Sequence, residues 1–138
     1  MFRRQYLLLV RETDYMHPMT RIDSVSYTHL DVYKRQVHIN VNVKYLTTST
    51  HGNGDLYAIG SADVSSHYTN GTNYLHLEEL VIKNNIILST YTIGDCYINA
   101  PTNGPINLEI WESGNVYYKG TPTDLYLIKK GKGEVFQK

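Results

Sequence analysis

One tetrad recurs along this chain and limits the folds open to it. "GDLY" (Gly54–Tyr57), "GTNY" (Gly71–Tyr74), "GDCY" (Gly94–Tyr97), "GNVY" (Gly114–Tyr117) and "GEVF" (Gly133–Phe136) each run from Gly through a polar residue to an aromatic, at spacings of 17, 23, 20 and 19 residues. Between the tetrads lie second strand-like runs, "YLHLEELVI", "NIILSTYTI", "INLEIW" and "DLYLI", in which Leu75, Leu77 and Leu80, or Ile106, Leu108 and Ile110, fall on one side. A period near 20 with short strands and "NG" turns predicts an all-β solenoid. One coil cannot bury its apolar side alone, so coils stack at about 4.8 Å and like residues fall above like. Five tetrads imply a stack roughly 20–25 Å tall by that spacing. Leu56, Cys96, Val116 and Val135 are then expected inside. Gly is expected at coil corners, where it tolerates positive φ. An antiparallel sandwich or meander is the alternative, since it also uses short strands and tight turns.

The repeat does not reach the N-terminal quarter, which reads differently. Val25–Gln36, "VSYTHLDVYKRQ", can be written in codons as a string that, preceded by CT, is its own reverse complement. It matches two transposon mosaic ends, the DNA ligated to fragments in transposase-based sequencing, joined head to head and translated. Codon 24 must then end in CT, which permits only Ser, Pro, Thr or Ala, and Ser24 complies. Composition changes at the same place: all five Arg and all three Met lie in residues 1–36, and all ten Gly and every Asn lie after it. The division expected is an unrelated or out-of-frame segment over 1–24, a translated adaptor over 25–36, and a solenoid over 37–138. "MFRRQYLLLV" has too short an apolar run for a signal peptide, whose apolar region takes about 7–15 residues.

Residues 37–138 suffice for one small domain. They hold 7 Lys against 9 Asp plus Glu and no Arg, a net charge of about −2. Nucleic acid is excluded as a partner, because clustered Lys and Arg supply most of that affinity. No run approaches the roughly 20 apolar residues of a transmembrane helix. Cys96 is alone, so no intramolecular disulfide forms and neither redox compartment is favoured.

"THGNGDLYAIGSA" through "ESGNVYYKGTPTDLYLIKKGKGEVFQK" resembles the C-terminal part of the auto-transporter adhesin-head-like domain, or GIN domain. The matching features are the Gly52–Asp55 and Ser113–Asn115 turns, "YYKGTP" (Tyr117–Pro122) and the closing Gly131–Gly133. The resemblance covers nearly all of 37–138. It implies a right-handed parallel β-helix, an exported bacterial envelope location, an export signal or lipid anchor, and no determined activity. It also implies that the first coils and the signal are missing here, which would leave Ile39–Tyr45 or Gly54–Ile59 as an open edge.

Alternation places Tyr57, Tyr74, Tyr97, Tyr117 and Phe136 outward as one aromatic column, which could hold a glycan ring or a cell-surface partner, or simply stabilise the coils by cross-strand pairing. Trp111 reads as a core or rim aromatic. Asp55, Asp95, Glu134 and Asn115 hold equivalent tetrad positions and read as a solvated ladder of turn residues. "HGNGDLY" lacks the Gly-Gly-x-Gly-x-Asp order of calcium-binding repeats, and His38, His51, His67 and His76 lack metal-ligand spacing, so no metal or cofactor is expected. Catalysis of the kind long β-helices host needs paired carboxylates or acids with a base, and the acids here are spread one per coil. The function expected is therefore a non-enzymatic envelope module. The alternatives are a fragment of a carbohydrate-active β-helix enzyme and a fragment of a phage fibre, which would trimerise.

Overall fold

The computed structural model describes the backbone of residues 6–12, 25–31, 36–52 and 55–138, and the side chains of 36, 38–50 and 55–138. Ten strands are formed: β1 (Tyr6–Glu12), β2 (Val25–Asp31), β3 (Gln36–Gly52), β4 (Asp55–Gly71), β5 (Leu75–Thr92), β6 (Cys96–Asn99), β7 (Ile106–Ile110), β8 (Val116–Lys119), β9 (Leu125–Lys129) and β10 (Val135–Gln137). From β3 onward every pairing is parallel: β3 with β4, β4 with β5, β5 with both β6 and β7, β6 with β8, β7 with β9, and β8 with β10. Parallel pairing of chain neighbours with no helix among the described residues means that the chain climbs one rung per circuit. The fold is a parallel β-solenoid of about five turns, as the repeat predicts.

Each coil has two arms. In β3 and β4 one continuous strand makes both arms, and the ladder skips Lys44 and Asp63 at the bend between them. In the later coils the bend becomes a loop, so β6 and β7, or β8 and β9, take the two arms separately. The first arm buries Leu56, Leu75, Cys96 and Val116 in one column, each within 1% of fully buried, and the half-buried Val135 continues it. Ile39, Leu77, Leu80, Ile82 and Ile98 fill the rest of that side. On the second arm Leu46, Ile86, Leu88, Ile106, Leu108 and Ile110 are the buried apolar set. Alternation accounts for most of these positions, because a strand buries every second residue, and register shifts in β5 carry it past Leu77 and past Ile82.

The upstream end of the second arm departs from that pattern. Polar side chains enter the in-register columns there: Ser65 between Leu46 and Ile86, Thr48 and His67 before Leu88, and Thr50, Thr69 and Thr90 in succession. Thr48, Thr50, Ser65, His67, Thr69 and Thr90 are all buried. Five of the six, all but Thr90, are held by hydrogen bonds within the interior. Thr48 Oγ1 pairs with His67 Nδ1 at 2.7 Å, Ser65 Oγ pairs with His67 Nε2, and Thr69 Oγ1 donates to Asn73 Oδ1. Satisfied in this way, a buried polar group costs little.

The tetrad glycines act differently from expectation. Positive φ occurs at Gly60, Gly71 and Gly120, and not at Gly94, Gly114 or Gly133. Those three form a column at one corner, where the preceding coil's backbone presses in. A Cβ on Gly114 would lie 2.0 Å from Gly94 O, and one on Gly133 would lie 2.0 Å from Gly114 O. Close approach of stacked corners, not left-handed geometry, requires glycine there.

β1 and β2 pair antiparallel with β3, β2 along residues 36–41 and β1 along 46–52. Of the edge expected to stand open at Ile39–Tyr45, β2 covers Ile39–Val41, and β1 covers the strand beyond it from Leu46. Any extended segment within reach satisfies a free edge's N–H and C=O groups. At the other end of the stack β9 is exposed along its whole length and pairs only with β7. The Gly54 corner lies outside the described residues.

Candidate functional site

The outward residues of the first arm build a ladder of six stacked rings. His38 lies on Tyr57 at 4.5 Å and 3°, Tyr57 on His76 at 4.2 Å and 1°, and His76 on Tyr97 at 5.2 Å and 9°. Tyr97 lies on Tyr117 at 5.1 Å and 13°, and Tyr117 on Phe136 at 5.3 Å and 20°. Strand spacing near 4.8 Å sets these separations, since each coil contributes one ring to the rung above the last.

Tyr74 is not part of this ladder, contrary to the sequence reading. Tyr57 pairs with His76, and His76 with Tyr97, so the histidine fills the rung assigned to Tyr74. Tyr74 falls two residues earlier, at the corner, where it is 43% exposed. The tetrad "GTNY" starts its coil two residues before the others, which produces the uneven 17- and 23-residue spacings. The rings themselves recur at 19, 19, 21, 20 and 19 residues from His38 to Phe136. His38 and His76 stand 19 residues either side of Tyr57, a signal available in the sequence once the rung rather than the glycine is aligned.

The turn acids have a structural task. Asp55 Oδ1 accepts the Tyr74 N–H, Asp95 Oδ1 accepts the Asn115 N–H, and Asn115 Oδ1 accepts the Glu134 N–H, each at 2.9 Å. Each side chain thus caps the backbone of the next coil, and Glu134 also pairs with Lys129 Nζ at 2.7 Å. Burial holds the Asp55 carboxyl above its usual range, against the Tyr74 hydrogen bond and the His76 charge, which act the other way. Burial, and then Asp55 and Glu78, push the Tyr57 hydroxyl up; burial and Asp95 do the same for Tyr97. Both phenols therefore stay protonated and can donate as well as accept.

Two grooves flank the ladder. One of about 280 Å³ runs beside His38, Tyr57, Ile59, His76, Glu78 and Glu79. The other, of about 140 Å³, is bounded by Glu78, Tyr97, Tyr117, Tyr118, Lys119 and Lys138. Charge differs between them, although Glu78 borders both. The first has two carboxylates, with His76 Nδ1 3.6 Å from Glu78 Oε1. The second has two lysines, and Lys138 Nζ lies 5.3 Å from the Tyr117 ring centroid and 5.8 Å from that of Tyr97. Neighbouring rings cover the faces of Tyr57, Tyr97 and Tyr117, so the grooves meet ring edges and phenolic hydroxyls.

A second aromatic stack stands outside the other arm: Tyr68 on Tyr91 at 5.2 Å and 36°, and Tyr91 on Trp111 at 5.4 Å and 3°. Trp111 is a rim residue, 37% exposed. Among the described residues no group of three or more His, Cys, Asp or Glu side chains is arranged to hold a metal ion, and no helix is long and apolar enough to cross a membrane. The side chain of His51 lies outside the described residues.

No protein-family model matches the sequence, and no curated protein matches it. A solved structure does: a putative adhesin from Bacteroides fragilis superposes with a TM-score of 0.63 at 27% identity, over 72% of this chain and 46% of that one. The chain therefore spans about half the length of the protein it resembles. The likeness is one of fold: a β-solenoid similar to that of a putative adhesin.

Proposed function

We propose that this chain is a non-catalytic, adhesin-like module of the GIN-domain type, carried on an exported bacterial envelope protein, and that it binds glycans along the ladder formed by Tyr57, His76, Tyr97, Tyr117 and Phe136. Tyr74, at the corner beside this row, borders the surface without joining the stack. The observation that carries the reading is one ring per coil on a solenoid similar to a Bacteroides putative adhesin. Protonated phenols beside carboxylates and lysines suit the mixed donors and acceptors of sugar hydroxyls. The turn acids Asp55 and Asp95 are tied to corner amides, one per coil, which gives them a structural task. The test is a glycan array followed by product analysis. Retention of glycans without cleavage supports binding; a released product supports the carbohydrate-active enzyme instead. A trimer in solution would favour the phage-fibre alternative.

Residues 1–36 are, on the same reading, foreign to the solenoid. The direction of pairing supports this: each pair from β3 onward is parallel, while β1 and β2 are antiparallel to β3. Amplification across codons 24–37 from the source DNA should give no product with this junction. An uninterrupted native product carrying it would overturn the division at residue 36.

A further inference from the structure

We propose that the second aromatic stack ends in a saccharide-stacking site, in which Trp111 presents its outer ring face to a neutral pyranose and Glu109 accepts hydrogen bonds from that sugar's hydroxyls. This site is on the opposite arm from the His38–Phe136 ladder and does not rest on ligand binding there.

The geometry separates Trp111 from the inner rings of the long ladder. In the long ladder each inner ring is covered on both faces, as Tyr57 is by His38 and His76. A sugar stacks its C–H face on a ring face, so an inner ring offers it little. Trp111 is the last ring of its stack. Tyr91 covers one face, and the next coil brings Lys130, not an aromatic, to this position, because Ile110 pairs with Lys129 and the Lys130 N–H donates to Ile110 O at 2.8 Å. The exposed fraction of 37% belongs to the largest aromatic surface in the chain.

A placed acceptor stands at the indole's N–H edge. Glu109 Oε1 accepts the Trp111 Nε1–H at 3.2 Å and the Ser89 hydroxyl at 3.5 Å. A carboxylate accepts about four hydrogen bonds, so capacity remains for sugar hydroxyls. Both residues are set on rigid ground, since Ile106, Leu108 and Ile110 of β7 are 0–2% exposed. Preorganisation of this kind reduces the ordering cost of binding. The carboxylate also sets the ligand's charge: it repels acidic sugars. A flat, all-equatorial β-glucan offers unbroken C–H faces and ring hydroxyls at once.

Trp111 is the sole tryptophan of the chain, so its emission reports this site alone. Cellotetraose added to the full chain should change that emission saturably and shield it from acrylamide, whereas a β-1,4-linked glucuronic acid tetramer should do neither. Glu109→Gln keeps an acceptor for the indole N–H and should weaken binding about tenfold, the loss of one charged hydrogen bond. The triple replacement of Tyr57, Tyr97 and Tyr117 by Ser should leave the response intact. In that triple background, saturation-transfer NMR on cellotetraose should lose its signal when Trp111→Ala is added, with circular dichroism checking the fold. No saturable response, an equal response to the acidic tetramer, or unchanged affinity in Glu109→Gln overturns the proposal.

Discussion

His67 occupies the centre of the stack with both ring nitrogens hydrogen-bonded to hydroxyls, and burial depresses its pKa to about 3. The unfolded chain titrates near 6.5, so between the two values the unfolded state binds a proton that the folded state refuses. This contribution to stability is fully present above pH 6.5 and is lost as pH falls toward 3. At about 1.4 kcal/mol per pKa unit, the loss at pH 5 is about 2 kcal/mol. Urea unfolding at pH 7 and pH 5 measures it, and His67→Gln should remove this part of the pH dependence. Cys96 makes the complementary case: burial pushes its thiol up to about 12. The native protein should resist maleimide at pH 8 and react only on unfolding. Cys96 was legible in the sequence because it alternates with aromatic and polar neighbours. His67 was not. In "SSHYTN" both faces of the strand are polar, and alternation cannot say which of Ser65–His67–Thr69 and Ser66–Tyr68–Asn70 turns inward.

The coils depend on backbone closeness as well as apolar burial. Gly60 sits mid-strand with φ of 112°, and a Cβ there would lie 1.8 Å from Val41 O. Gly60→Ala should cost about 3 kcal/mol, read as a fall in unfolding midpoint. Leu108→Ala, in the fully packed second arm, should cost about 2–5 kcal/mol by cavity formation. Asp95→Ala removes a corner cap from the Asn115 amide, and its cost should be about 1 kcal/mol. The same corners explain what the sequence concealed. Counting from glycine put Tyr74 on the ladder and left out His38 and His76, because Gly71 starts its corner two residues earlier than its counterparts. The inward columns survived that error, since Leu75 and Leu77 alternate whatever the corner does, and a register shift before Glu79 returns Leu80 to the inside.

At the scale of the whole molecule, a regular stack displays a surface property once per coil, and the ladder is that property here. The fold was readable because a period near 20 leaves few architectures, and the parallel pairing from β3 onward follows it. The second stack was hidden: Tyr68, Tyr91 and Trp111 stand 23 and 20 residues apart but share no flanking motif. The central claim is that the long ladder is a binding surface laid over an independently stable stack, whose cross-strand ring pairs add only about 0.2–1 kcal/mol each. The most direct measurement replaces Tyr57, Tyr97 and Tyr117 with Ser in a Trp111→Ala background, which silences the other arm, and compares glycan-array binding and thermal unfolding with the Trp111→Ala parent. The account predicts that binding is lost while cooperative unfolding and the β circular dichroism spectrum persist. Binding that is unchanged, or a variant that no longer folds, would contradict it.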